Sequence, residues 1–155
     1  MRRVTFHASG LMAAALLLAG LASGAAAHVH AVENAAAAGA RLEVVLTFSH
    51  GCGDQATTGL AVEIPPALQD LRPQPRDGWQ ASLTGGVLHW QGGEIAPDQE
   101  ARFSFDARLA PDASGDSDGR IWLPTVQICG TASSRWIAQD LGADNPAPYV
   151  RVAPQ

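Results

Sequence analysis

The eight residues Arg102-Phe103-Ser104-Phe105-Asp106-Ala107-Arg108-Leu109 decide the fold class of this chain. Polar and apolar side chains alternate along the whole stretch. Because successive side chains of a β-strand point to opposite faces, the stretch predicts a strand with one buried and one exposed face. The face expected to point inward carries Phe103, Phe105, Ala107 and Leu109.

The same pattern continues on both sides of this strand. It is clear over residues 41–48 and 59–64, and further strands are predicted at residues 79–83, 87–90, 121–128, 134–138 and 149–152. Gly85-Gly86 predicts a hairpin, whereas Pro65-Pro66, residues 72–75 and Gly92-Gly93 are expected to interrupt strands. Roughly eight short strands with frequent turns and no long helical period predict an all-β, antiparallel β-sandwich.

The first 27 residues have the composition of a targeting segment. Arg2 and Arg3 precede an apolar run over residues 11–19, and small residues follow, ending in Ala25-Ala26-Ala27. These are the parts of a secretory signal peptide with an A-x-A cleavage site, and the run is shorter than the ~20 residues that a membrane span needs. We therefore expect residues 1–27 to be a cleaved signal peptide, with an uncleaved anchor as the less favoured alternative. Residues 28–155 are then one periplasmic or secreted domain with no stable membrane anchor.

The charge balance excludes some partners. The chain has 10 basic residues, all arginine, against 15 acidic ones. After loss of Arg2 and Arg3, eight arginines against fifteen acids give a net charge of −7. An acidic domain without basic clusters is not expected to bind nucleic acid. Both methionines, Met1 and Met12, precede the expected cleavage site, so the mature chain has no thioether for a soft metal ion.

Two cysteines, Cys52 and Cys129, remain in the expected mature chain. Outside the cytoplasm they are expected to form a disulfide. A metal-binding thiolate pair is the alternative, and the absence of a Cys-x-x-Cys motif disfavours it.

Cleavage after Ala27 would make His28 the first residue of the mature protein. Its α-amine and imidazole can then chelate one metal ion as a histidine brace, and Cu(II) prefers tetragonal nitrogen ligands. His30 offers a second geometry, in which an amine, two backbone amides and the imidazole of the third residue wrap Cu(II) in a plane. If the segment is a strand, both imidazoles point to one face and can serve a single site. Otherwise the two histidines are incidental polar residues.

His50 and His89 are the other histidines of the expected mature chain. His50 lies close to Cys52, so a Cys-His catalytic dyad is conceivable. A disulfide-bonded cysteine is not a nucleophile, however, and a structural role for His50 is favoured. His89 lies in a predicted strand beside Trp90 and is interpreted as a cross-strand residue.

A series of short motifs follows a fixed order along the expected mature chain: Ala27-His28-Val29, Ala38-Gly39, His50-Gly51-Cys52, Ala56-Thr57-Thr58, Val62-Glu63-Ile64-Pro65, Pro73-Gln74-Pro75, Gly78-Trp79, Trp90 with Gly92-Gly93, Pro124-Thr125-Val126-Gln127-Ile128-Cys129, Arg135-Trp136-Ile137 and Pro146-Ala147-Pro148. In order and spacing they resemble the YcnI-like family of exported bacterial copper-binding domains, across nearly the whole mature length.

The resemblance implies a cupredoxin/immunoglobulin-like β-sandwich whose mature N-terminal histidine holds copper as a brace, with an acidic helper and a tryptophan close by. In this sequence the brace corresponds to His28 and the tryptophan to Trp136. The acidic helper has no counterpart, since residues 80–84 contain no acid and Ala138 stands where a Glu is often found. We hypothesise that His30, at a position usually held by Thr or Ser, replaces it.

The sequence therefore predicts an exported periplasmic copper-binding protein that stores, delivers or confers tolerance to copper, with Cu(II) favoured over Cu(I). Another periplasmic copper carrier is the candidate partner, and no catalytic activity is expected. Two alternatives stay open. One is a histidine-brace copper oxygenase, which needs a distant second ligand such as His50 or His89, and the other is a metal-free β-sandwich interaction module.

Overall fold

The computed structural model describes residues 28–32 and 35–154, and the expected signal peptide lies outside the described residues. Within these ranges the chain forms twelve strands: β1 His30–Ala31, β2 Ala35–Ala36, β3 Arg41–Phe48, β4 Thr57–Glu63, β5 Leu68–Pro73, β6 Gln80–Thr84, β7 Val87–Ile95, β8 Ala101–Leu109, β9 Arg120–Trp122, β10 Thr125–Cys129, β11 Ala132–Trp136 and β12 Tyr149–Val152. The part of the chain that the structure describes contains no helix long and apolar enough to cross a membrane.

The strands form three hydrogen-bonded sheets. A four-stranded sheet has the order β1-β3-β8-β5, a five-stranded sheet has the order β11-β10-β4-β7-β6, and a small sheet has the order β2-β12-β9. Among the described strands every pair is antiparallel except β2 with β12. The predicted all-β antiparallel sandwich is confirmed.

Strand β8 carries the buried face that its alternation predicts. Its four inward residues are at most 2% exposed. Strand β3 pairs with β8 along its whole length, and Val44, Leu46 and Phe48 are buried in the same way. Burial of a side chain of this size stabilises the fold by roughly 1.5–3 kcal/mol relative to exposure, so these two strands form the centre of the core.

Aromatic rings join the two larger sheets. The ring of Trp90 on β7 lies 5.4 Å from the ring of Phe103 and 6.3 Å from that of Phe105, both on β8. Trp79, just before β6, meets Phe103 edge-on with 4.9 Å between ring centroids. Edge-on and tilted pairs suit the charge distribution of aromatic rings, so these contacts fix the spacing of the sheets.

The predicted hairpin at Gly85-Gly86 is confirmed. These two glycines join β6 to β7, and Thr84 pairs directly with Val87 across the turn. Both glycines have positive φ, 60° and 79°. A two-residue turn with positive φ at both positions matches the twist of the flanking strands, and glycine adopts it without a steric penalty.

The predicted single strand over residues 121–128 is wrong. It divides into β9 and β10, which belong to different sheets. Pro124 lies between them and has no backbone N–H to donate to a ladder. Its carbonyl oxygen accepts a hydrogen bond from the Glu63 amide at 2.8 Å, so the chain crosses between the sheets at this proline.

The predicted interruption at Gly92-Gly93 is also wrong. Strand β7 runs through both glycines to Ile95. Its pairing with β4 shifts between Gly59↔Gln91 and Thr57↔Ile95, and Gly92 has a φ of 96°. The glycines therefore form a bulge inside a continuous strand. A glycine pair occurs both in turns and in bulges, so the sequence alone does not distinguish the two.

Candidate functional site

The segment that holds His28 and His30 lies along the edge of the four-stranded sheet. Strand β1 pairs with β3, with His30 opposite Thr47 and Ala31 opposite Leu46. The Val32 amide donates to the Val45 carbonyl at 2.9 Å. Val29 is only 2% exposed and packs in the core, so it anchors the segment from its inner side.

His28 and His30 share the other side of this segment. Their ring centroids are 5.6 Å apart, with 41° between the ring planes. His28 is half-buried and His30 is exposed. Strand β1 begins at His30, and His28 lies two positions before it. Side chains two positions apart in an extended segment point to the same face, so the two imidazoles lie together, as the sequence predicts for an extended segment.

Trp136 completes a three-ring cluster with the two histidines. It is the last residue of β11, it is 5% exposed, and its ring lies 5.5 Å from that of His28. His28 therefore lies between His30 and Trp136. The indole Nε1 of Trp136 is buried and finds no hydrogen-bond partner among the described residues. The indole Nε1 of Trp90, in the centre of the core, is likewise buried without a partner among the described residues.

The pKa of His30 lies below its ordinary value of 6.5. Partial shielding of the ring from water contributes most, since it disfavours the charged imidazolium, and the nearby His28 lowers the pKa further. The His30 imidazole is therefore largely neutral at pH 7, the form that binds a metal ion.

The strand pairing bears on the two geometries that the sequence leaves open. Hydrogen-bonded pairs alternate along an antiparallel ladder, so the Val32–Val45 bond implies that the His30 amide faces the Thr47 carbonyl. The wrapped geometry requires that amide as a deprotonated metal ligand. A brace at His28 leaves the ladder intact, and the described arrangement suits the brace better.

The spacing of the two imidazoles fits one shared metal ion. With metal–nitrogen bonds of about 2.0 Å, two imidazoles on one ion have centroids roughly 4.5–6.3 Å apart for nitrogen–metal–nitrogen angles between about 90° and 180°. The observed 5.6 Å falls within this range. Among the described residues, no group of three or more His, Cys, Asp or Glu could hold a metal. The donor set therefore fits copper only with a further nitrogen, such as a free amine at His28.

His50 and His89 lie apart from this cluster. The His50 carbonyl oxygen accepts a hydrogen bond from Gln127 Nε2 at 2.7 Å, beside the disulfide. His89 is opposite Ala61 and Ser82 in the five-stranded sheet. Neither lines the cavity that His28 and His30 border.

The predicted disulfide between Cys52 and Cys129 is confirmed, with 5.8 Å between the two Cα atoms. Cys129 is fully buried, and the Cys52 amide lies 3.0 Å from its Sγ atom. Beside the disulfide, Nε2 of the buried Gln127 donates a hydrogen bond to Oγ1 of the buried Thr57 at 2.7 Å. A disulfide of this kind indicates an extracytoplasmic protein.

A cavity of about 580 Å³ adjoins the two histidines. Its walls come from the β1 segment, from Ala35, and from the late part of the chain around Leu141, Pro148 and Arg151. No sequence pattern predicts this cavity. The Pro146-Ala147-Pro148 motif stands out in the sequence, but nothing in it indicates that these residues lie against a segment more than a hundred positions earlier.

Comparisons with known proteins agree with this fold. Residues 28–89 match the family described as "Domain of unknown function (DUF1775)", the YcnI-like family. No curated protein matches the chain.

Several solved structures share the architecture. A protein from Nocardia farcinica with an immunoglobulin-like fold is 24% identical, with a TM-score of 0.63, over 82% of this chain and 99% of that chain. The sixth cohesin of Acetivibrio cellulolyticus scaffoldin B is 9% identical, with a TM-score of 0.50, over 82% and 99% of the two chains. The seventh ScaB type I cohesin of Pseudobacteroides cellulosolvens is 11% identical, with a TM-score of 0.50, over 83% and 93%. At these identities the similarity shows an immunoglobulin-like fold alone.

Proposed function

Because the chain is an immunoglobulin-like β-sandwich with a DUF1775 match, we propose that it is an exported copper-binding protein that holds Cu(II) through His28 and His30. The role is copper storage, delivery or tolerance rather than catalysis. The observation that carries the proposal is the cluster in which the His28 ring lies 5.6 Å from that of His30 and 5.5 Å from that of Trp136.

The chemistry follows from what cleavage after Ala27 would add. The free α-amine of His28 and its imidazole would belong to the same residue, so a single residue supplies two nitrogen ligands. His30 supplies a third nitrogen from the same face of the strand. Three nitrogens leave one position of a tetragonal Cu(II) site for water or a partner's ligand, which suits a protein that passes copper to another carrier.

Trp136 shields one side of the His28 ring from water and from other ligands. Trp136 is 95% buried by the fold and covers the His28 ring. A bulky aromatic wall limits the approach of water and of other ligands from that direction, while the exposed His30 side stays open to exchange.

The test is a Cu(II) titration of the exported protein, with its N-terminus verified by mass spectrometry and with a competing chelator to measure tight binding. A variant with one glycine inserted before His28 moves the amine away from the imidazole. It should lose affinity at least about 100-fold, more than the 10–100-fold typical of outer-shell changes. Equal affinity of the two proteins would refute a terminal site.

Three single variants then separate the ligands. H28A and H30A should each weaken Cu(II) binding, and H89A, a half-buried histidine in the other large sheet, should not. If H28A binds as tightly as wild type, copper is held in the wrapped geometry, because that geometry needs only the amine, two amides and His30. Electron paramagnetic resonance of the wild-type complex should show three nitrogen ligands.

Tryptophan fluorescence offers an independent readout of position. Cu(II) bound at His28 lies close to Trp136 and should quench its emission. W136F should lose most of the copper-dependent quenching, whereas W122F, whose ring packs instead against Tyr149, should keep it.

A further inference from the structure

The cavity beside the histidines has the properties of a small-molecule site. Its volume of about 580 Å³ falls in the range of roughly 300–1,000 Å³ typical of ligand pockets. Such pockets are largely apolar and carry a few placed polar groups. Here Val29, Ala31, Leu141 and the Pro146–Pro148 segment supply apolar wall.

The ionisable side chains among the described lining residues are all basic or neutral. They are His28, His30, Tyr149 and Arg151, and none of the described lining residues is an Asp or Glu. The charge of the described lining residues is therefore opposite in sign to the net charge of the domain. An anionic group is therefore favoured in the cavity over a cationic one.

Arg151 is held in place without a carboxylate partner among the described residues. Its Nη1 donates to the Asp118 carbonyl oxygen at 2.9 Å, and its guanidinium lies 5.3 Å from the centre of the Tyr149 ring. These contacts fix the side chain and use one donor of a group that has five. A positioned guanidinium with free donors is suited to a planar carboxylate.

We propose that this cavity binds a small molecule with an apolar body and one carboxylate. The carboxylate is directed to Arg151, and the apolar body lies against Leu141 and the proline-rich wall. The proposal concerns the metal-free protein and does not depend on copper binding.

The test uses the exported full-length product after metal removal, with 3-phenylpropionate as the probe and 3-phenylpropionamide as its uncharged counterpart. Binding is followed by protein NMR at constant pH. The acid should bind with a dissociation constant below about 1 mM and the amide about five- to tenfold more weakly, as expected for one charge-assisted hydrogen bond. R151Q should remove the preference for the acid, and R135Q, which changes an exposed arginine of β11 outside the cavity, should preserve it.

A second pair of variants guards against structural effects of R151Q. Leu141 lines the cavity and is 51% exposed, so its replacement has little effect on folding. L141E places a negative charge at the wall and should weaken binding of the acid by about fivefold relative to L141Q, with the amide unchanged. The proposal is overturned if wild type binds the acid with a dissociation constant above about 1 mM, if it binds acid and amide equally, if R151Q keeps the preference for the acid, or if L141E and L141Q bind the acid alike.

Discussion

Removal of the Cys52–Cys129 disulfide provides a direct test of how this fold is stabilised. The double variant C52A/C129A is the appropriate change, because a single substitution leaves a reactive thiol in a buried position. Cys129 is fully buried, and alanine is smaller than half a cystine, so no new steric conflict is introduced.

The size of the effect follows from the length of the closed loop. The two cysteines are 77 positions apart in the sequence. The chain-entropy relation then gives a loss of about 4.5 kcal/mol in the free energy of unfolding at 25 °C. Typical domains are stable by about 5–15 kcal/mol, so the variant should be close to the limit of folding.

Equilibrium unfolding in urea measures this loss. Wild type reduced with a phosphine and the double variant should share one slope with urea and a lower midpoint than wild type. Their slope should be steeper than that of wild type, because an unfolded chain without the disulfide is less compact and exposes more surface. Agreement between the reduced protein and the variant shows that the covalent bond, not the altered side chains, is responsible. A loss below about 1 kcal/mol would refute the loop-closure reasoning for this protein.

Three further changes test other contacts. G93A would place a methyl group 2.1 Å from Trp79 Nε1, so Trp79 must move, and urea unfolding should show a loss of about 1–3 kcal/mol. W136F should cost about 1–2 kcal/mol in the same assay, because Trp136 is 5% exposed and the smaller ring leaves a cavity, while the indole N–H that it removes has no partner among the described residues. The pKa of Asp116 lies below 3.8, chiefly because the Arg120 amide donates a hydrogen bond to its carboxylate. The contribution of Asp116 to the free energy of unfolding is therefore complete above the pKa of the unfolded state, and it is lost as the pH falls through the lower pKa of the folded state. The stability difference between wild type and D116N should thus be constant from about pH 7 to 5 and shrink below about pH 4, and a difference that grows towards acid would contradict this reasoning.

The fold class could be predicted because the strands at its centre are buried on one face only. Alternation in β3 and β8 then identifies both the element and its inward side. The sequence does not predict strand β5, because residues Leu68–Pro73 lack a clean alternation and the pairing with β8 shifts between Gln69 and Arg72. Boundaries that depend on glycine or proline were the weakest, since Gly92-Gly93 acts as a bulge and Pro124 as a crossing point.

The candidate site was predictable only in part. Side chains of an extended segment alternate between its two faces, so His28 and His30 are expected on one face without any tertiary information. The proximity of Trp136 came from family resemblance, because nothing in its spacing relates β11 to β1. The cavity was not predictable, since segments from both ends of the domain form its walls, and only the completed fold brings them together.

The contact between His28 and Trp136 spans 108 positions of sequence. It joins the edge of one large sheet to the edge strand of the other, so it forms only when both sheets are assembled. A ligand that needs this contact cannot be held by a partly folded chain, and it therefore stabilises only the native state, by an amount that grows with the logarithm of its concentration. Ligand concentration would then control how often the whole domain opens, and with it the exposure of the domain to proteases.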